Sequence, residues 1–424
     1  MKRNDNKVRL RIWFIFILVT FIATLSACDS DSNAEEKDDS DNTIPEEMLP
    51  PVETNNPNSV YVPAFEGQTR INGVKTQSEY NISVIATGLS KPWGMTNLPD
   101  GRILLTEKAG AMRIIDALGN VSDAITGIPE VNSEGQGGLL DVAIDPDFIE
   151  NRMVYWTFAR NVNDGNATAV AKGRLSDDDT RIENATVIYT AYPEFDGVGH
   201  YGSRIAWDND GNMFISTGER GSSSIRGKAQ DLGAALGKVL HITKDGNAVS
   251  GGPFEFQAGA LSEIFTYGHR NVQGLAIHPI TNDVWILEMG PMGGDEVNLL
   301  TPGGNYGWPV ISYGLEYSGN PVGQGITSQD GMEQPVYYWD PSVSPSGITF
   351  YKNGEMDEWN NNLFIGALSG RHIVRLVINN NRVVGEERLL EDEDERIRDV
   401  LQGTDGALYA ISDGNNAKLY RIGL

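Results

Sequence analysis

The sequence contains a His-Arg-Asn triplet, His269-Arg270-Asn271, between two glycines in the stretch IFTYGHRNVQGL. The glycines at positions 268 and 274 let the backbone turn sharply or approach another group closely, so the triplet should project from a turn. Such a turn can form one wall of a binding pocket. The alternative is that Arg270 only ties down its own loop through backbone carbonyls.

Two further arginines, Arg396 and Arg398, occur in the stretch DERIRDV and lie on one face of an extended segment, because strand side chains alternate with period two. If they meet Arg270 at one mouth, each close pair costs about 1 kcal/mol in repulsion, so the group needs an anionic ligand. Arginine donates two parallel hydrogen bonds to a planar carboxylate, which favours a flat polycarboxylate. The alternative is separate pairing with neighbouring carboxylates, such as Glu395 and Asp399.

Two loops carry residues that could bind a substrate or react with it. His200 lies in GVGHYGSRIAW, together with Arg204, and a neutral imidazole can accept a proton near pH 7. Gln136 is flanked by glycines in SEGQGGLLDVAIDPDF. A single histidine in a turn can also be purely structural, and that alternative stays open.

A metal site is predicted in EMGPMGGDEVNLLTPGGNYGWP, where a turn offers backbone carbonyls beside two adjacent carboxylates, Asp295 and Glu296. Oxygen ligands of this kind suit a hard cation such as Ca²⁺, although the stretch is not an EF-hand and could be only an acidic loop. The chain has a single cysteine, which excludes a cysteine-based zinc cluster. No dinucleotide or P-loop glycine motif stands in a strand-helix setting.

The overall composition limits the classes of partner and the kind of secondary structure that can be expected. A formal charge of −25 argues against binding nucleic acid or anionic lipid through the general surface. The 48 glycines favour turns over long helices, since each glycine disfavours a helix interior by about 1 kcal/mol.

One pattern returns six times beyond residue 78: a turn rich in Asp, Asn, Pro or Gly, then a short run of β-branched and aromatic residues. The six stretches are LPDGRILLTEKAG, DPDFIENRMVYWTF, DNDGNMFISTGERG, HPITNDVWILEMGP, WNNNLFIGALSG and GTDGALYAISDG. This spacing predicts an all-β fold, a six-bladed β-propeller with long inserted loops, in preference to a β-sandwich. Ligands of such folds bind at one mouth of the central channel, on loops from several blades.

The N-terminus is predicted to lie outside the propeller. Basic residues precede an apolar run and the sequence LSAC, which resembles a bacterial lipoprotein signal, so residues 1–27 are predicted to be a signal peptide and Cys28 the lipidated residue. Residues 28–77 are predicted to form an acidic disordered linker, and residues 78–424 the propeller domain. The protein is thus expected to be an exported lipoprotein of the cell envelope, on the periplasmic face of a membrane.

Seven motifs in order along the chain resemble the soluble quinoprotein sugar dehydrogenases, the glucose/sorbosone dehydrogenase family that uses pyrroloquinoline quinone (PQQ), especially its aldose sugar dehydrogenase branch. They are GLSKPWGM, EGQGGLLDVAIDPDF, GHYGSRIAW, YGHRNVQGL, GPMGGDEVNLLTPGGNYGWP, VSPSGITFY and RIRDV. The resemblance extends from about Ser83 to the C-terminus. It implies oxidation of aldoses to lactones and transfer of electrons to a membrane-linked acceptor of the respiratory chain.

The resemblance also implies roles for individual residues. His200 matches the base that takes the proton of the anomeric hydroxyl while hydride passes to the quinone, and Gln136 matches a position beside the substrate. The matches to cofactor-binding positions are Arg270 and Asn271 at the quinone carbonyls, Arg396 and Arg398 at the carboxylates, and Trp339 and Ser342 along the cleft. The matches to Ca²⁺ ligands are Gly290 and Pro291, with Glu296 and Tyr306 at a further site. His269 is expected to be structural.

One position departs from the family pattern. Where glucose-specific members have a lysine on a cofactor carboxylate, this chain has Ser369, with Arg371 nearby as a candidate substitute. The long loops that shape the sugar pocket in those members are absent, so a shallow, permissive site is expected. A calcium-dependent lactonase and a non-catalytic propeller that acts as a binding module remain as alternative functions.

Overall fold

The computed structural model describes residues 48–424, and most of its regular structure is β-strand. The helices in this part of the chain are single turns, and none is long and apolar enough to cross a membrane. They are the α-helix α1 (Phe148–Asn151) and three 3₁₀ helices over Arg226–Gln230, Asp357–Trp359 and Glu391–Glu393. The predicted signal peptide, the predicted lipidation site Cys28 and the first part of the predicted linker lie outside the described residues.

The strands of residues 48–424 form six antiparallel sheets that follow one another along the chain. The first strand, β1 (Asn81–Leu89), joins the last of these sheets. The first sheet is formed by β2 (Pro92–Asn97), β3 (Ile103–Glu107) and β4 (Ala111–Ile115). The second is formed by β5 (Leu139–Ile144), β6 (Met153–Val162), β7 (Gly165–Leu175) and β8 (Ile182–Thr190). The third is formed by β9 (Gly202–Trp207), β10 (Met213–Thr217), β11 (Lys238–Ile242) and β12 (Ile264–Tyr267).

The second half of the domain repeats this arrangement. The fourth sheet is formed by β13 (Val272–Ile277), β14 (Val284–Glu288), β15 (Asp295–Leu299) and β16 (Tyr337–Trp339). The fifth is formed by β17 (Pro345–Phe350), β18 (Leu363–Ala367), β19 (His372–Asn379) and β20 (Arg382–Leu389). The sixth combines β21 (Ile397–Gln402), β22 (Leu408–Ser412) and β23 (Ala417–Gly423) with β1.

The sheets close into a ring. The first strand of each sheet packs beside the first strand of the next, from β2 through β5, β9, β13 and β17 to β21, which lies beside β2 again. The two ends of the domain share one sheet, because β1 pairs with β23 and places Asn81 opposite Gly423. The predicted six-bladed β-propeller is therefore confirmed, and the six sheets are its blades.

All six turn stretches found in the sequence lie at the same place in their blades, between the first and the second strand. The Asp208 turn shows the physical reason. The Asp208 carboxylate accepts backbone hydrogen bonds from Asp210 at 2.9 Å and Asn212 at 2.7 Å, so one short side chain closes the loop. These turns all leave the ring at the same end.

The apolar core lies between neighbouring blades. Between the fourth and fifth blades, Trp285 and Leu287 of β14 pack with Leu363 and Ile365 of β18, and all four side chains are fully buried. Burial of each such side chain contributes about 1.5 to 3 kcal/mol. Packing of this kind fixes the angle between blades and hence the positions of the loops at both ends of the ring.

The third residue of each inner strand follows one pattern around the ring. Three of these residues are charged and three are glycines, namely Asp141, Arg204 and Asp399, and Gly94, Gly274 and Gly347. A Cβ atom at Gly94 would lie 2.4 Å from Asp141 Oδ1, and one at Gly347 would lie 1.6 Å from Asp399 Oδ1. Two of the glycines therefore make room for a buried carboxylate of the next blade.

The charged members form a buried ion cluster at the centre of the ring. Arg204 Nη1 lies 3.2 Å from Asp141 Oδ1 and 3.0 Å from Asp399 Oδ1. Arg204 Nε donates to the Gln273 carbonyl at 2.7 Å, and the guanidinium stands 4.2 Å from the centre of the Trp93 ring. Through these contacts one side chain of the third blade touches the first, second, fourth and sixth blades.

The two carboxyl groups of this cluster are unusually basic. Burial raises the pKa of Asp399 to about 7, with Arg204 opposing the shift and Asp141 adding to it. Burial also raises the pKa of Asp141, and Arg204 again opposes the shift. Each carboxylate also accepts a backbone hydrogen bond, Asp141 from Ile205 at 2.9 Å and Asp399 from Met95 at 3.0 Å. Each acidic side chain of the cluster therefore connects its own inner strand to the inner strand of a neighbouring blade.

The segment before β1 packs against the propeller instead of extending away from it. Its backbone pairs with β20, where the Val74 N–H donates to the Glu386 carbonyl at 3.0 Å, and Glu53 forms an ion pair with Arg388 at 2.8 Å. Val74 is buried, as is Gln68. The prediction of a disordered linker therefore does not hold for residues 48–77, because the polar segment is ordered by the blade surface and needs no core of its own.

Replacement of Arg204 by methionine should destabilise the domain strongly, because two buried carboxylates lose their counterion. We expect the free energy of unfolding, measured in urea at pH 7, to fall by about 3 to 5 kcal/mol. The loss should grow as pH rises through about 7. Arg204 lowers the pKa of Asp399, so without it the folded variant would hold the Asp399 proton to a higher pH than the folded wild type. The wild-type group ionises near pH 7 and its effect on stability then levels off, whereas the variant continues to lose stability as pH rises.

Arg181 provides the control for this experiment, because it is 54% exposed and its ion pairs, with Glu183 at 2.6 Å and Asp178 at 3.8 Å, lie near the surface. Arg181→Met should change stability by less than about 1 kcal/mol. Equal stability of Arg204→Met and Arg181→Met would show that the axial cluster does not hold the ring together.

Candidate active site

A cavity of about 450 Å³ lies at the end of the ring opposite the six turns that connect the first and second strands of the blades. Its lining residues come from the starts of the inner strands and from the connections that precede or flank them, and all six blades contribute. The sequence predicts a site at one mouth of the ring, on loops from several blades, without saying which mouth. Four of the predicted site residues line the one cavity: Gln136, Asn271, Arg396 and Arg398.

His200 lies directly behind this wall, on the loop between β8 and β9. Its backbone N–H donates to the Gln136 side-chain oxygen at 2.8 Å, which couples the two predicted substrate residues. His200 adopts a left-handed backbone conformation with φ of 46°, which costs a non-glycine residue of the order of 1 kcal/mol or more. The surrounding loops must therefore hold it in place.

Arg220 supplies that support. It is almost fully buried and donates to the carbonyls of Gly199 at 3.1 Å, Asn166 at 2.9 Å and Gly197 at 2.7 Å. Its guanidinium also stacks 4.1 Å from the centre of the Tyr201 ring. Arg220 is thus a positioning residue that fastens the loop carrying His200.

A buried carboxylate orients the imidazole. His200 Nδ1 lies 2.6 Å from Glu219 Oε1, and Glu219 is in turn held by the Gly221 N–H at 3.0 Å. With Nδ1 donating to the Glu219 carboxylate, Nε2 is the free proton acceptor. Burial lowers the pKa of His200 below 6.5, the hydrogen bond to Glu219 opposes this shift, and the charge of Arg270 adds to it. The ring is therefore neutral at pH 7 and able to act as a base.

The His-Arg-Asn triplet divides into three roles. His269 is fully buried between Thr266, at 2.8 Å, and Glu288, at 3.0 Å, so it is structural as the sequence predicts. Arg270 Nη1 donates to the carbonyls of Met289 and Gly290, both at 2.8 Å. These are the loop-tying contacts named as the alternative in the sequence analysis. Arg270 Nε is buried without a partner, and a contact of Arg270 with a ligand stays a prediction.

Asn271 is the member of the triplet that reaches the cavity wall. Its Oδ1 accepts a hydrogen bond from the Gly202 N–H at 3.1 Å, which fixes the amide between the third and fourth blades. A Cβ atom on Gly218 would lie 2.2 Å from the His200 carbonyl oxygen and 3.0 Å from Asn271 Oδ1, so the close packing of these two residues depends on a glycine.

Arg396 and Arg398 share a single carboxylate inside the cavity. Arg396 Nε donates to Asp413 Oδ2 at 3.0 Å, and Arg398 Nη2 lies 3.5 Å from Asp413 Oδ1. The neighbouring acids considered in the sequence analysis are engaged elsewhere: Glu395 with Lys418 at 3.0 Å and Asp399 in the axial cluster. Arg398 Nε is buried without a partner. The pair therefore retains unused donors for an anionic ligand.

Two predicted cleft residues lie away from the cavity wall. Trp339 is 2% exposed, its ring packs edge-on against Tyr337 at 5.2 Å, and its indole nitrogen lies 3.4 Å from Glu386. The prediction that Trp339 lines the cleft is corrected, because its ring is needed in the core between the fourth and fifth blades. Ser342 donates to Asp295 at 2.5 Å and stands behind Ser344, which does line the cavity.

The predicted Ca²⁺ ligands occupy two regions. The Gly290 carbonyl, beside Pro291, already accepts a hydrogen bond from Arg270, which leaves its second lone pair for a cation. Tyr306 stacks on His269 and donates its hydroxyl to the Leu299 carbonyl at 2.7 Å, so its phenol is not a free ligand. Residues 48–424 contain no cluster of three or more His, Cys, Asp or Glu side chains arranged to hold a metal.

Glu296 nevertheless lies in an oxygen-rich setting. It is directly opposite Glu288 on the neighbouring strand, and the Asn298 amide donates to both carboxylates, at 3.2 Å to Glu288 and 3.1 Å to Glu296. Burial and the charge of Glu288 raise the pKa of Glu296. Asn298 Oδ1 is buried without a partner. Two carboxylates and an unused amide oxygen fit a hard cation.

Several cavity or site residues were not singled out from the sequence. They are Lys91, Lys108, Asp413 and Tyr317 on the cavity wall, and Glu219 beside His200. Lys91 lies within the quoted motif GLSKPWGM, and Lys108, Glu219 and Asp413 lie within three of the repeated turn stretches. The motifs therefore marked the right segments, but nothing in them showed which polar side chains face the cavity.

A propeller with a cationic cavity and a His-carboxylate pair at one mouth matches a known class of enzyme. The family model for Glucose / Sorbosone dehydrogenase matches residues 89–421. The chain belongs to this family, as the sequence motifs predict, and it is an oxidoreductase.

Individual relatives support this assignment. The chain is 38% identical over 345 residues to the aldose sugar dehydrogenase YliI of Escherichia coli strain K12, covering 81% of this chain and 92% of that protein. A crystal structure of a glucose dehydrogenase is 42% identical, with a TM-score of 0.78 over 81% of this chain and 99% of that one. The PQQ-bound aldose sugar dehydrogenase of Streptomyces coelicolor is 26% identical, with a TM-score of 0.68 over 82% of this chain and 100% of that one.

The pair of His200 and Glu219 predicts a measurable titration. The imidazole of His200 should titrate below the ordinary value of 6.5, and in Glu219→Gln its pKa should fall further, because a contribution that raises the pKa is lost. Long-range ¹H–¹⁵N NMR spectra of the histidine rings would measure both values, with His200→Asn used to assign the signal.

Glu263→Gln is a suitable control, since Glu263 accepts a hydrogen bond from the Tyr189 hydroxyl at 2.9 Å and is not a partner of His200. This variant should leave the His200 titration unchanged. A pKa that rises in Glu219→Gln would contradict the arrangement described above.

Proposed function

We propose that this protein oxidises aldose sugars at the anomeric carbon to lactones, with PQQ as its cofactor, and passes the electrons to an acceptor of the respiratory chain. The observation that carries this proposal is the pair of Arg396 and Arg398, which line one cavity and share the single carboxylate of Asp413. Gln136 lines the same cavity and accepts a hydrogen bond from the backbone N–H of His200, the candidate base. The PQQ-bound relative from Streptomyces coelicolor supports the choice of cofactor.

The cavity fits a flat polycarboxylate. When bound, PQQ supplies the acceptor for the hydride. Arg396 and Arg398 would hold its carboxylates through charge-assisted hydrogen bonds, which are stronger than neutral ones. Asn271 would present its amide at the quinone edge, and Arg270, directly behind it, would add positive charge where negative charge develops.

The sugar would bind on the side of Gln136 and His200. His200 Nε2 accepts the proton of the anomeric hydroxyl, and the anomeric carbon gives up its hydrogen with two electrons, so the hemiacetal becomes a lactone. Glu219 stabilises the imidazolium that forms and keeps Nε2 directed at the substrate. Gln136 is kept in place by the hydrogen bond from the His200 N–H.

The proposal also includes two bound Ca²⁺ ions. The carbonyls of Gly290 and Pro291 would hold one Ca²⁺ near the cofactor, where a Lewis acid can polarise a carbonyl. A second Ca²⁺ would bind at Glu296, together with Glu288 and the unused oxygen of Asn298. Tyr306 would contribute by packing.

The location of the protein is also part of the proposal. The predicted signal peptide over residues 1–27 and the lipidated Cys28 would make it an exported lipoprotein, attached to the periplasmic face of a membrane through its lipid anchor. That location would place the cavity near an electron acceptor of the respiratory chain. The negative charge of the chain argues against nucleic acid as a partner.

The alternative functions receive less support. A calcium-dependent lactonase requires several metal-ligating carboxylates on the axis, and the two found there, Asp141 and Asp399, are both engaged by Arg204. A binding module without activity would have no need of an oriented, neutral base.

Reconstitution tests the proposed activity. Protein mixed with PQQ and Ca²⁺ should reduce a dye acceptor when aldoses are added, and His200→Ala should lower kcat by about 10²- to 10⁴-fold, because the base is removed. Cofactor affinity should change little. His241→Ala is the matched control, since His241 pairs with Asp208 at 2.7 Å on the outside of the third blade.

The outcomes separate the three functions. Cofactor binding without dye reduction would indicate a non-catalytic binding module. Lactone hydrolysis in the absence of PQQ would favour the lactonase, and an unchanged kcat in His200→Ala would remove His200 from the proposed mechanism.

Replacement of Glu296 tests the second calcium site. In EGTA-treated protein, Glu296→Gln should raise the melting temperature, because it removes like-charge repulsion from Glu288. In added Ca²⁺ the order should reverse, because only the wild type gains stability from the bound ion. Thermal unfolding followed over a Ca²⁺ titration gives both values, and an equal response of the two proteins to Ca²⁺ would contradict the site.

A further inference from the structure

Two lysines line the same cavity as the predicted arginine pair. Lys91 precedes β2, and Lys108 follows β3, so both stand at the first blade, next to the sixth blade that carries Arg396 and Arg398. Neither lysine has an assigned role in the proposed function.

The backbone holds both lysines at the mouth. The Lys108 N–H donates to the Lys91 carbonyl at 3.0 Å, and the Lys91 N–H donates to the Gly414 carbonyl at 2.6 Å. Lys91 adopts a left-handed φ of 48°, which is uncommon for a residue with a side chain. Lys108 Nζ donates to the Gly135 carbonyl, next to Gln136. The two ammonium groups are therefore placed between the predicted cofactor side and the predicted substrate side.

The lysines lack an anionic partner of their own. Among the described residues the cavity lining contains four basic side chains and one carboxylate, Asp413, which Arg396 and Arg398 already share. No ion pair with a carboxylate involves Lys91 or Lys108 in residues 48–424. Burial and the charges of Lys91 and Arg398 lower the pKa of Lys108, with Asp413 opposing the shift. An anion bound between these groups would relieve their mutual repulsion.

The candidate substitute for the missing lysine is engaged elsewhere. Arg371 is 46% exposed, pairs with Asp394 at 2.5 Å and does not line the cavity. Ser369 donates its hydroxyl to Ser344 at 2.8 Å, so the position that carries a lysine in glucose-specific relatives is neutral here. The cofactor carboxylate that a lysine would bind there needs another cation.

We propose that Lys91 and Lys108 bind a carboxylate group of the quinone cofactor and replace the cation that is absent at Ser369. This inference rests on the proposed function. The four basic side chains and Asp413 give the lining a net charge of +3, which balances the three carboxylates of PQQ. Arg396 and Arg398 hold the cofactor from the sixth blade, and the two lysines hold it from the first.

The test measures cofactor affinity and needs no turnover. PQQ is titrated into wild type, Lys91→Gln, Lys108→Gln, the double variant and Lys108→Arg by isothermal titration calorimetry at low and high salt. Each single glutamine variant should raise Kd about tenfold or more, which is the size of one charge-assisted hydrogen bond, and the double variant should raise it further. Lys108→Arg should stay close to wild type, and the salt dependence of Kd should weaken in the double variant.

Lys352→Gln is the matched control, because Lys352 lies in the turn between β17 and β18, at the opposite end of the ring. A folded wild type that does not bind PQQ would overturn the proposed function itself. Binding by wild type with the same Kd in Lys91→Gln, Lys108→Gln and Lys352→Gln would overturn only the present inference. An unchanged Kd for PQQ together with a raised KM for a sugar acid such as glucuronate would assign the lysines to the substrate.

Melting temperatures measured for every variant separate affinity from folding. If Lys108→Gln does not fold, Lys91→Gln carries the test, since the Lys91 side chain is exposed and its loss leaves no buried partner behind. An unchanged Kd in folded Lys91→Gln would then overturn the inference.

Discussion

The guanidinium of Arg204 connects five of the six inner strands, and the positions of the cavity walls depend on that connection. It sits between Asp141 and Asp399 while its remaining nitrogens donate to backbone carbonyls of β13 and β21. A buried cation with incomplete partners is strongly destabilising, so the ring is stable only when these blades are in register. Glycines at the third position of β2 and β17 leave the space that the two carboxylates require.

The same cluster links the scaffold to the chemistry. Arg398 follows directly after the strand start of β21, one residue before Asp399, and Arg204 holds its carbonyl at 3.3 Å. Trp93 covers the Arg204 guanidinium and forms part of the cavity lining. One wall of the cavity therefore packs against the buried ion cluster. The base, His200, lies on a loop that is held by the hydrogen bonds of Arg220 and Glu219. Preorganisation of this kind lets charged groups stay in place without a bound ligand.

The sequence predicted the fold well because its signal is local. Each turn stretch closes a hairpin through its own side chains, as Asp208 does, so six such stretches could be counted without knowing the tertiary structure. The linker prediction failed over residues 48–77 for the opposite reason, since that segment is ordered by distant partners such as Arg388. The site was predicted in part: Gln136, Asn271, Arg396 and Arg398 do meet, whereas Trp339 belongs to the core and Lys91 and Lys108 were overlooked.

By itself the sequence determined the number of blades and the chemical types that the site contains, because turn formers, strand periodicity and ordered motifs are properties of short segments. Only the tertiary structure decided which charges pair. Arg396 and Arg398 could have been neutralised by adjacent acids, but Glu395 is taken by Lys418 and Asp399 by Arg204. Pairing of charges depends on distances between blades, and those distances are set by packing across the ring, which no single segment encodes.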